Sequence, residues 1–499
     1  DSTEAIVAAV QSGELEQAVL DAAAARIAQL AEKTQAAKRQ DHRHPAKLAE
    51  AHHVLAREAA AESIVLLRNE RAILPLATDQ SIAVIGEFAR SPRYQGAGSS
   101  QVRATSVDTA LEALSQLAKV EFAAGYSFDR NSHAQALIDE AVTAARRAEV
   151  ALLFVGLPDG AESEGFDRTH LELPAAQREL LAAVAAANRN TVVILTNGGV
   201  VSLEPWHDSV PVIIEAWLLG QAGGSALADV LYGRIVPSGR LAESIPYRLQ
   251  DTPAYLNFPG ENDVVRYGEG VFVGYRYYES VDLPVRYPFG HGLSYSSFEY
   301  SKLSANQSEA SLTVTNTGRR AAKHVVQLYI APPPSEVARP KRELRAFCKI
   351  ELDPGESRRV RIKLDPRDFA HWDTRTSGWR VSGGDYLIEI GHNSHHIALS
   401  ETVAIVGPPP ERLSLDSRIA DFLAHPVTGP ILARAARGAA SQPEGGTSLL
   451  DMVASMPMRR LMRFPGVGKS LAGLPALIAI ANNPFVRGLA SWWQRRRAA

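Results

Sequence analysis

Polar and apolar positions change their period along the chain, and each change marks a different kind of element. From Glu14 to Lys33 the apolar residues Leu15, Val19, Ala23, Ile27 and Leu30 fall on one helical face. A polar, basic link (QAAKRQDHRHPAK) leads to a second helical run, AEAHHVLAREAAAESIVLLRN, predicted to continue to Asn69. Between Ser81 and about Gly233, buried-strand runs (SIAVIG, KVEFAAG, ALLFVGL, TVVILTNGG, VPVIIEAWLLG) alternate with helical ones (SVDTALEALSQL, HAQALIDEAVTAARRAEV, PAAQRELLAAVAAAN, GGSALADVLYG). That rhythm predicts a largely parallel sheet with helices on both faces. After Pro237 the pattern gives way to aromatic-rich loops ending in YGEGVFVGYRYYE and YPFGHGLSY.

From about Phe298 to Ile405 the period becomes two. Leu312 and Val314, then Val326, Leu328 and Ile330, then Val360, Ile362 and Leu364, then Tyr386, Ile388 and Ile390 alternate with polar neighbours. NTG, DPGES and SGGD mark turns between them, the pattern of an antiparallel β-sandwich. A proline hinge, GPPPE, opens a last segment that is helical, basic and Met-containing. The fold expected is therefore multidomain α/β: an α/β sandwich, a β-sandwich, and a helical C-terminal extension.

Composition narrows the functional classes. At 499 residues there is room for two or three domains. The formal net charge of −2 gives no reason to expect a nucleic-acid partner. One cysteine, Cys348, excludes an internal disulfide and favours a reducing, cytoplasmic setting. No run approaches the roughly 18 apolar residues of a membrane span. Trp492, Trp493 and Arg495 to Arg497 would suit a membrane-surface helix, but packing on the protein itself is the expected use of that stripe.

Three candidate sites carry chemistry. The stretch AESEGFDRTHLELP follows a buried strand and gathers acids where open α/β sheets present ligands. Glu162 and Glu164 stand two apart, Gly165 permits a sharp turn, and Asp167 with Arg168 offers a charge-assisted brace. A carboxyl group there serves as a general acid if its pKa is raised. Spacing alone fits a solvated acidic loop better. The glycine-rich YQGAGSSQV follows a strand, yet Gln101 replaces the third glycine of a dinucleotide fingerprint and no Lys-Ser or Lys-Thr follows. A tight turn beside a pocket is the safer reading, and a nucleotide-dependent enzyme is disfavoured. His42, His44, His52, His53, His392, His395 and His396 are too scattered to supply the convergent ligands of a zinc site, so no metal is expected.

Several long blocks, arriving in order, resemble the C-terminal part of glycoside hydrolase family 3, the β-glucosidase and β-xylosidase family. They are REAAAESIVLLRNERAILPL, IAVIGEFA, YQGAGSSQV, ESEGFDRTHLELP, EAWLLGQAGGSALADVLYGRIVPSGRLAESIPYR, and VGYRYYE with YPFGHGLSY. The resemblance implies closing helices of a truncated barrel plus linker over 1–48, an α/β sandwich over 49–297, a fibronectin type III-like domain over 298–407 and an extension over 408–499. It implies retaining β-glycosidase chemistry without cofactor, on oligosaccharides or aryl and alkyl β-glycosides, with β-glucosidase first and β-xylosidase or arabinosidase within the same class. Glu164 becomes the acid/base, with Glu162 as fallback. Gly98, Ser99 and Ser100 would line the cleft, Asp167 and Arg168 would shape the loop, and Phe166, with Tyr94 and the loops near Phe258, would touch the aglycone.

The family's nucleophile is an aspartate in a Ser-Asp-Trp type motif late in an N-terminal barrel, and no such motif occurs in these residues. The expectation is a chain bearing the acid/base half, inactive alone, whose partner is the missing barrel half or a second copy in a homo-oligomer. A non-catalytic carbohydrate-binding or scaffold protein is the competing class.

Overall fold

The computed structural model describes residues 2–40, 45–128, 134–165, 167–335, 337–374, 376–407, 412–437, 453–463, 473–486 and 488. Three helices open the chain: α1 (Ser2–Ser12), α2 (Gln17–Gln40) and α3 (Pro45–Ser63). The apolar face read in α2 is present and lies at the surface, with Val19, Ile27 and Leu30 all exposed.

The helix expected through Asn69 stops at Ser63, and the run VLLRN forms strand β1 (Val65–Asn69) instead. Ile64, Val65, Leu66 and Leu67 are completely buried. Their backbone pairs antiparallel with β6 (Val212–Glu215), Val65 facing Glu215 and Asn69 facing Val212. An open sheet edge that buries branched side chains outweighs the helical propensity of the alanine-rich run before it.

The α/β domain is built on a six-stranded sheet. Its strands are β1, β2 (Ile82–Ile85), β3 (Val120–Ala123), β4 (Val150–Gly156), β5 (Thr191–Thr196) and β6, in the order β1-β6-β5-β4-β2-β3. All pairs except β1 with β6 are parallel. β2, β4 and β6 are buried at every position, as strands covered on both faces must be. From β2 the chain moves outward to β3, returns to β4, and continues the other way to β5 and β6. The strand order therefore reverses between β2 and β4, where loops diverge and leave a crevice.

The second domain is a sandwich of two antiparallel sheets. One has the order β10-β9-β14-β15 (Glu343–Leu352, Ala322–Ala331, Gly384–Gly391, Ile397–Ile405), the other β11-β8-β7 (Ser357–Lys363, Glu309–Asn316, Phe298–Ala305). Leu312, Val314, Val326, Leu328, Ile330, Val360, Ile362, Leu364, Tyr386, Ile388 and Ile390, the period-two positions, all enter its core. The C-terminal extension is helical, and Leu413, Ile419, Phe422, Met458, Leu474 and Ala481 bury one another in a cluster of their own. Trp492, Trp493 and Arg495 to Arg497 lie outside the described residues. Among the described residues no helix is long and apolar enough to cross a membrane.

The two larger domains are joined by buried charge. Arg342 lies at the start of β10, and its guanidinium meets Glu389 of β14 at 2.7 Å and Glu279 of α8 (Tyr275–Ser280) at 3.2 Å. It also donates to the Ser394 carbonyl at 3.0 Å. The side chains of Arg342, Glu279 and Glu389 are only 11%, 6% and 7% exposed. Removing the cation leaves two buried carboxylates without their counter-charge. Arg342→Ala is expected to cost about 3–5 kcal/mol, read as a lower urea midpoint for the β-sandwich. A loss near zero would show that this junction is not held by charge.

Candidate functional site

The crevice at the strand reversal receives one loop from the carboxyl end of β2 and another from the carboxyl end of β4. The β2 loop carries Arg93, Tyr94 and the glycine-serine run; the β4 loop carries the acids. Gln101, the residue that breaks the phosphate fingerprint, ties the loops together by donating to Asp159 at 3.2 Å.

The two candidate acids, indistinguishable by spacing, sit in different surroundings. Both oxygens of Glu162 are filled. Gly198 N–H donates to Oε2 at 2.7 Å, Gly199 N–H to Oε1 at 2.6 Å, and Arg93 Nη1 to Oε2 at 2.6 Å. Arg93 is itself buried, and it also donates to the carbonyls of Leu157 at 2.9 Å and Glu162 at 3.0 Å. Glycine is needed at 198, because a Cβ there would stand 2.9 Å from Glu162 Oε2. Glu162 is thus a brace joining the ends of three strands.

Glu164 is exposed. Ser99 N–H donates to its Oε2 at 2.8 Å, and Ser99 Oγ donates to the same oxygen. Gly98, at φ +81°, lets this approach happen: a Cβ there would fall 2.7 Å from Glu164 Cβ. The Ser99 hydroxyl, and after it the Ser99 N–H, hold the Glu164 carboxyl below the ordinary glutamate range. This is the opposite of the raised pKa expected of a general acid, because the carboxyl is exposed and meets donors rather than apolar surroundings. The structure therefore brings Gly98, Ser99 and Glu164 together.

The other sequence-predicted residues are placed differently. Ser100 Oγ turns back to the Ala97 carbonyl at 3.3 Å. Arg168 donates to the Val200 carbonyl at 2.9 Å, and no ion pair among the described residues joins it to the exposed Asp167. Tyr94 packs its hydroxyl on the Val102 carbonyl at 3.4 Å. Phe258 lines a separate open groove of about 350 Å³ with Leu256, Pro259, Val264 and Arg266. Phe166 lies outside the described residues. Among the histidines, His53 meets Asp108 at 3.2 Å and His392 stacks on Tyr300, while His42 and His44 lie outside the described residues.

Beneath the loops lies a group of charges that sequence reasoning missed. Glu215, at the end of β6, is 1% exposed; it accepts from Trp217 N–H at 2.9 Å and Asn197 Nδ2 at 3.2 Å. Burial pushes its carboxyl up to about 8. Burial likewise raises Glu243 to about 7, opposed by the Arg168 guanidinium and reinforced by Glu162. A carboxylate inside the apolar run VIIEAW was the available signal for Glu215, and paired glycines ending TVVILTNGG the signal for the brace. Arg93 had none.

Comparison with known proteins places these features. Residues 64–295 match the sequence profile of the glycosyl hydrolase family 3 C-terminal domain, and residues 324–394 that of the fibronectin type III-like domain. An exo-alpha-(1->6)-L-arabinopyranosidase from Bifidobacterium breve is 48% identical over 418 residues, 81% of this chain and 55% of the relative. Thermostable beta-glucosidase B from Acetivibrio thermocellus is 40% identical over 497 residues, 96% of this chain and 65% of the relative. The crystal structure of a Bifidobacterium adolescentis GH3 beta-glucosidase superposes with a TM-score of 0.81 at 44% identity, covering 86% of this chain and 64% of that one. The chain thus spans 55% to 65% of the length of these two curated relatives.

Glu215 supplies a pH test. It ionises near 4.5 when unfolded and at about 8 in the folded domain. The stability it lends as a neutral acid is complete below the unfolded value and is lost as pH rises toward the folded one. Relative to Glu215→Gln, the wild type should lose up to about 1.4 kcal/mol per pH unit across that window. Urea unfolding of both proteins at pH 5 and pH 8 measures the difference. A pH-independent gap between them would show that Glu215 is ionised in the fold.

Proposed function

The chain belongs to glycosyl hydrolase family 3 as a carrier of its C-terminal domain, and on that premise we propose that it supplies the general acid/base of a retaining β-glycosidase. The substrates are terminal, non-reducing β-D-glucosyl residues of oligosaccharides or of aryl and alkyl glucosides. The observation that carries this reading is Glu164 itself: it stands exposed on the loop after β4, held through Oε2 by Ser99, with Oε1 lacking a partner among the described residues.

In the first step Glu164 gives its proton to the glycosidic oxygen while the bond from that oxygen to the anomeric carbon breaks. The bonding pair leaves with the protonated oxygen. A carboxylate nucleophile, about 5–5.5 Å away on a barrel domain outside these residues, takes the anomeric carbon. In the second step ionised Glu164 removes a proton from water as that water displaces the nucleophile. Two carboxyl groups and water complete the reaction, so no cofactor or metal is required. Glu162, whose oxygens accept from Arg93, Gly198 and Gly199, is assigned the brace in this reading. Arg168 shapes the loop through Val200.

The 48% identity to an exo-alpha-(1->6)-L-arabinopyranosidase supports a second substrate within the same chemistry. An α-L-arabinopyranoside presents the same anomeric arrangement as a β-D-galactopyranoside and lacks the hydroxymethyl group. Discrimination among these sugars rests on pocket hydrogen bonds.

The test uses protein extended upstream to the length of its relatives, with aryl β-D-glucosides, β-D-xylosides and α-L-arabinopyranosides. Glu164→Ala should lower kcat/KM on poor leaving groups by roughly 10²–10⁴-fold. It should spare the bond-breaking step for a dinitrophenyl glycoside, whose leaving group needs no proton. Undiminished turnover of poor leaving groups would sink the assignment. The 499-residue chain alone should hydrolyse several powers of ten more slowly.

A further inference from the structure

We propose that Ser99 is the positioning residue of this site: it reserves Oε2 of Glu164 as a hydrogen-bond acceptor, so that the proton delivered to substrate is carried on Oε1. The proposal rests on the reading of Glu164 as the acid/base.

The geometry favours one oxygen. Two donors from a single residue, the N–H at 2.8 Å and the hydroxyl, converge on Oε2. A hydroxyl can reverse and accept, but a backbone N–H has no lone pair to offer. A proton placed on Oε2 would have to turn the Ser99 hydroxyl round to accept it, whereas a proton on Oε1 leaves both Ser99 donors where they are. Oε1 has no protein partner among the described residues, so the neutral acid is Oε1–H and the anion keeps Ser99 on Oε2. The same contact serves both halves of the reaction, and Glu164 need not rotate between them.

Nearby charges are committed elsewhere. Asp159 faces Arg93 and Gln101. Glu162 is filled by Arg93 and the two glycine N–H groups. Arg168 donates through Nη1 to the Val200 carbonyl, and Glu162, Glu243 and Glu172 are the acids that act on its charge. Asp167 stands exposed on the same loop. No ion pair among the described residues reaches Glu164, and the largest influences on its acidity are the Ser99 hydroxyl and then the Ser99 N–H. Hydrogen bonds to the charged form favour that form. Ser99 thus makes Glu164 a stronger acid and sets the pH above which the protonated form is lost.

Ser99→Ala and Ser99→Thr test this; Ser99 is exposed, so neither change disturbs the core. In the 499-residue chain, the Glu164 carboxyl carbon is titrated by NMR, its signal identified by its loss in Glu164→Gln. Ser99→Ala should raise the midpoint, and Ser99→Thr should restore it. In the upstream-extended enzyme, the alkaline limb of kcat/KM should move up by the same amount. At the optimum, kcat on poor leaving groups should fall about tenfold with KM little changed. An unmoved midpoint in Ser99→Ala overturns the role of Ser99 and leaves Glu164 as acid/base untouched. A moved midpoint with an unmoved alkaline limb shows that Glu164 is not the acid, and the proton assignment fails with it.

Discussion

A guanidinium buried as Arg93 is needs a counter-charge within hydrogen-bond reach, and Glu162 is that counter-charge. The pairing fixes more than two side chains. Arg93 comes from the loop after β2, Glu162 from the loop after β4, and the glycine N–H groups that complete the carboxylate come from the turn after β5. Three strand ends that would otherwise diverge are drawn to one point. Glu164, two residues on, inherits its place from that knot, and the glycine-serine turn lies close enough to hold it. The exposed carboxylate is positioned by a neighbour whose own oxygens are both taken by donors.

The same division of labour explains why the site was only half legible in the amino-acid sequence. The apolar runs of β2, β4, β5 and β6 announce a parallel sheet, and its strand ends announce where acids would matter. Two glutamates separated by one serine carry no information about which is saturated with donors. That difference is made by Arg93, Gly198 and Gly199, residues far away along the chain. β1 was misread for a related reason: VLLRN follows an alanine-rich helix without a breaking glycine or proline, and only the free edge at β6 decides that it extends. The β-sandwich was easier, because alternation there depends on neighbours two residues apart.

The charges of the fold fall into two kinds. At the domain junction, Arg342 is surrounded by Glu279 and Glu389, and charge is used as a fastener. Under the crevice, Glu215 and Glu243 are pushed toward neutrality by burial. Neutral acids there add little negative potential below the loops. Glu164 is then governed by its contact with Ser99 rather than by a field from beneath.

Gly98 has a further consequence, for the exchange of parts between related domains. Any side chain at this position would meet the first carbon of the Glu164 side chain, so the two loops cannot vary in shape independently. Segments 93–101, 157–168 and 197–200 form one heritable cassette. A chimera that swaps a single one of them would mate mismatched surfaces, whereas transplanting all of them together carries the Glu164 carboxyl with the contacts that hold it.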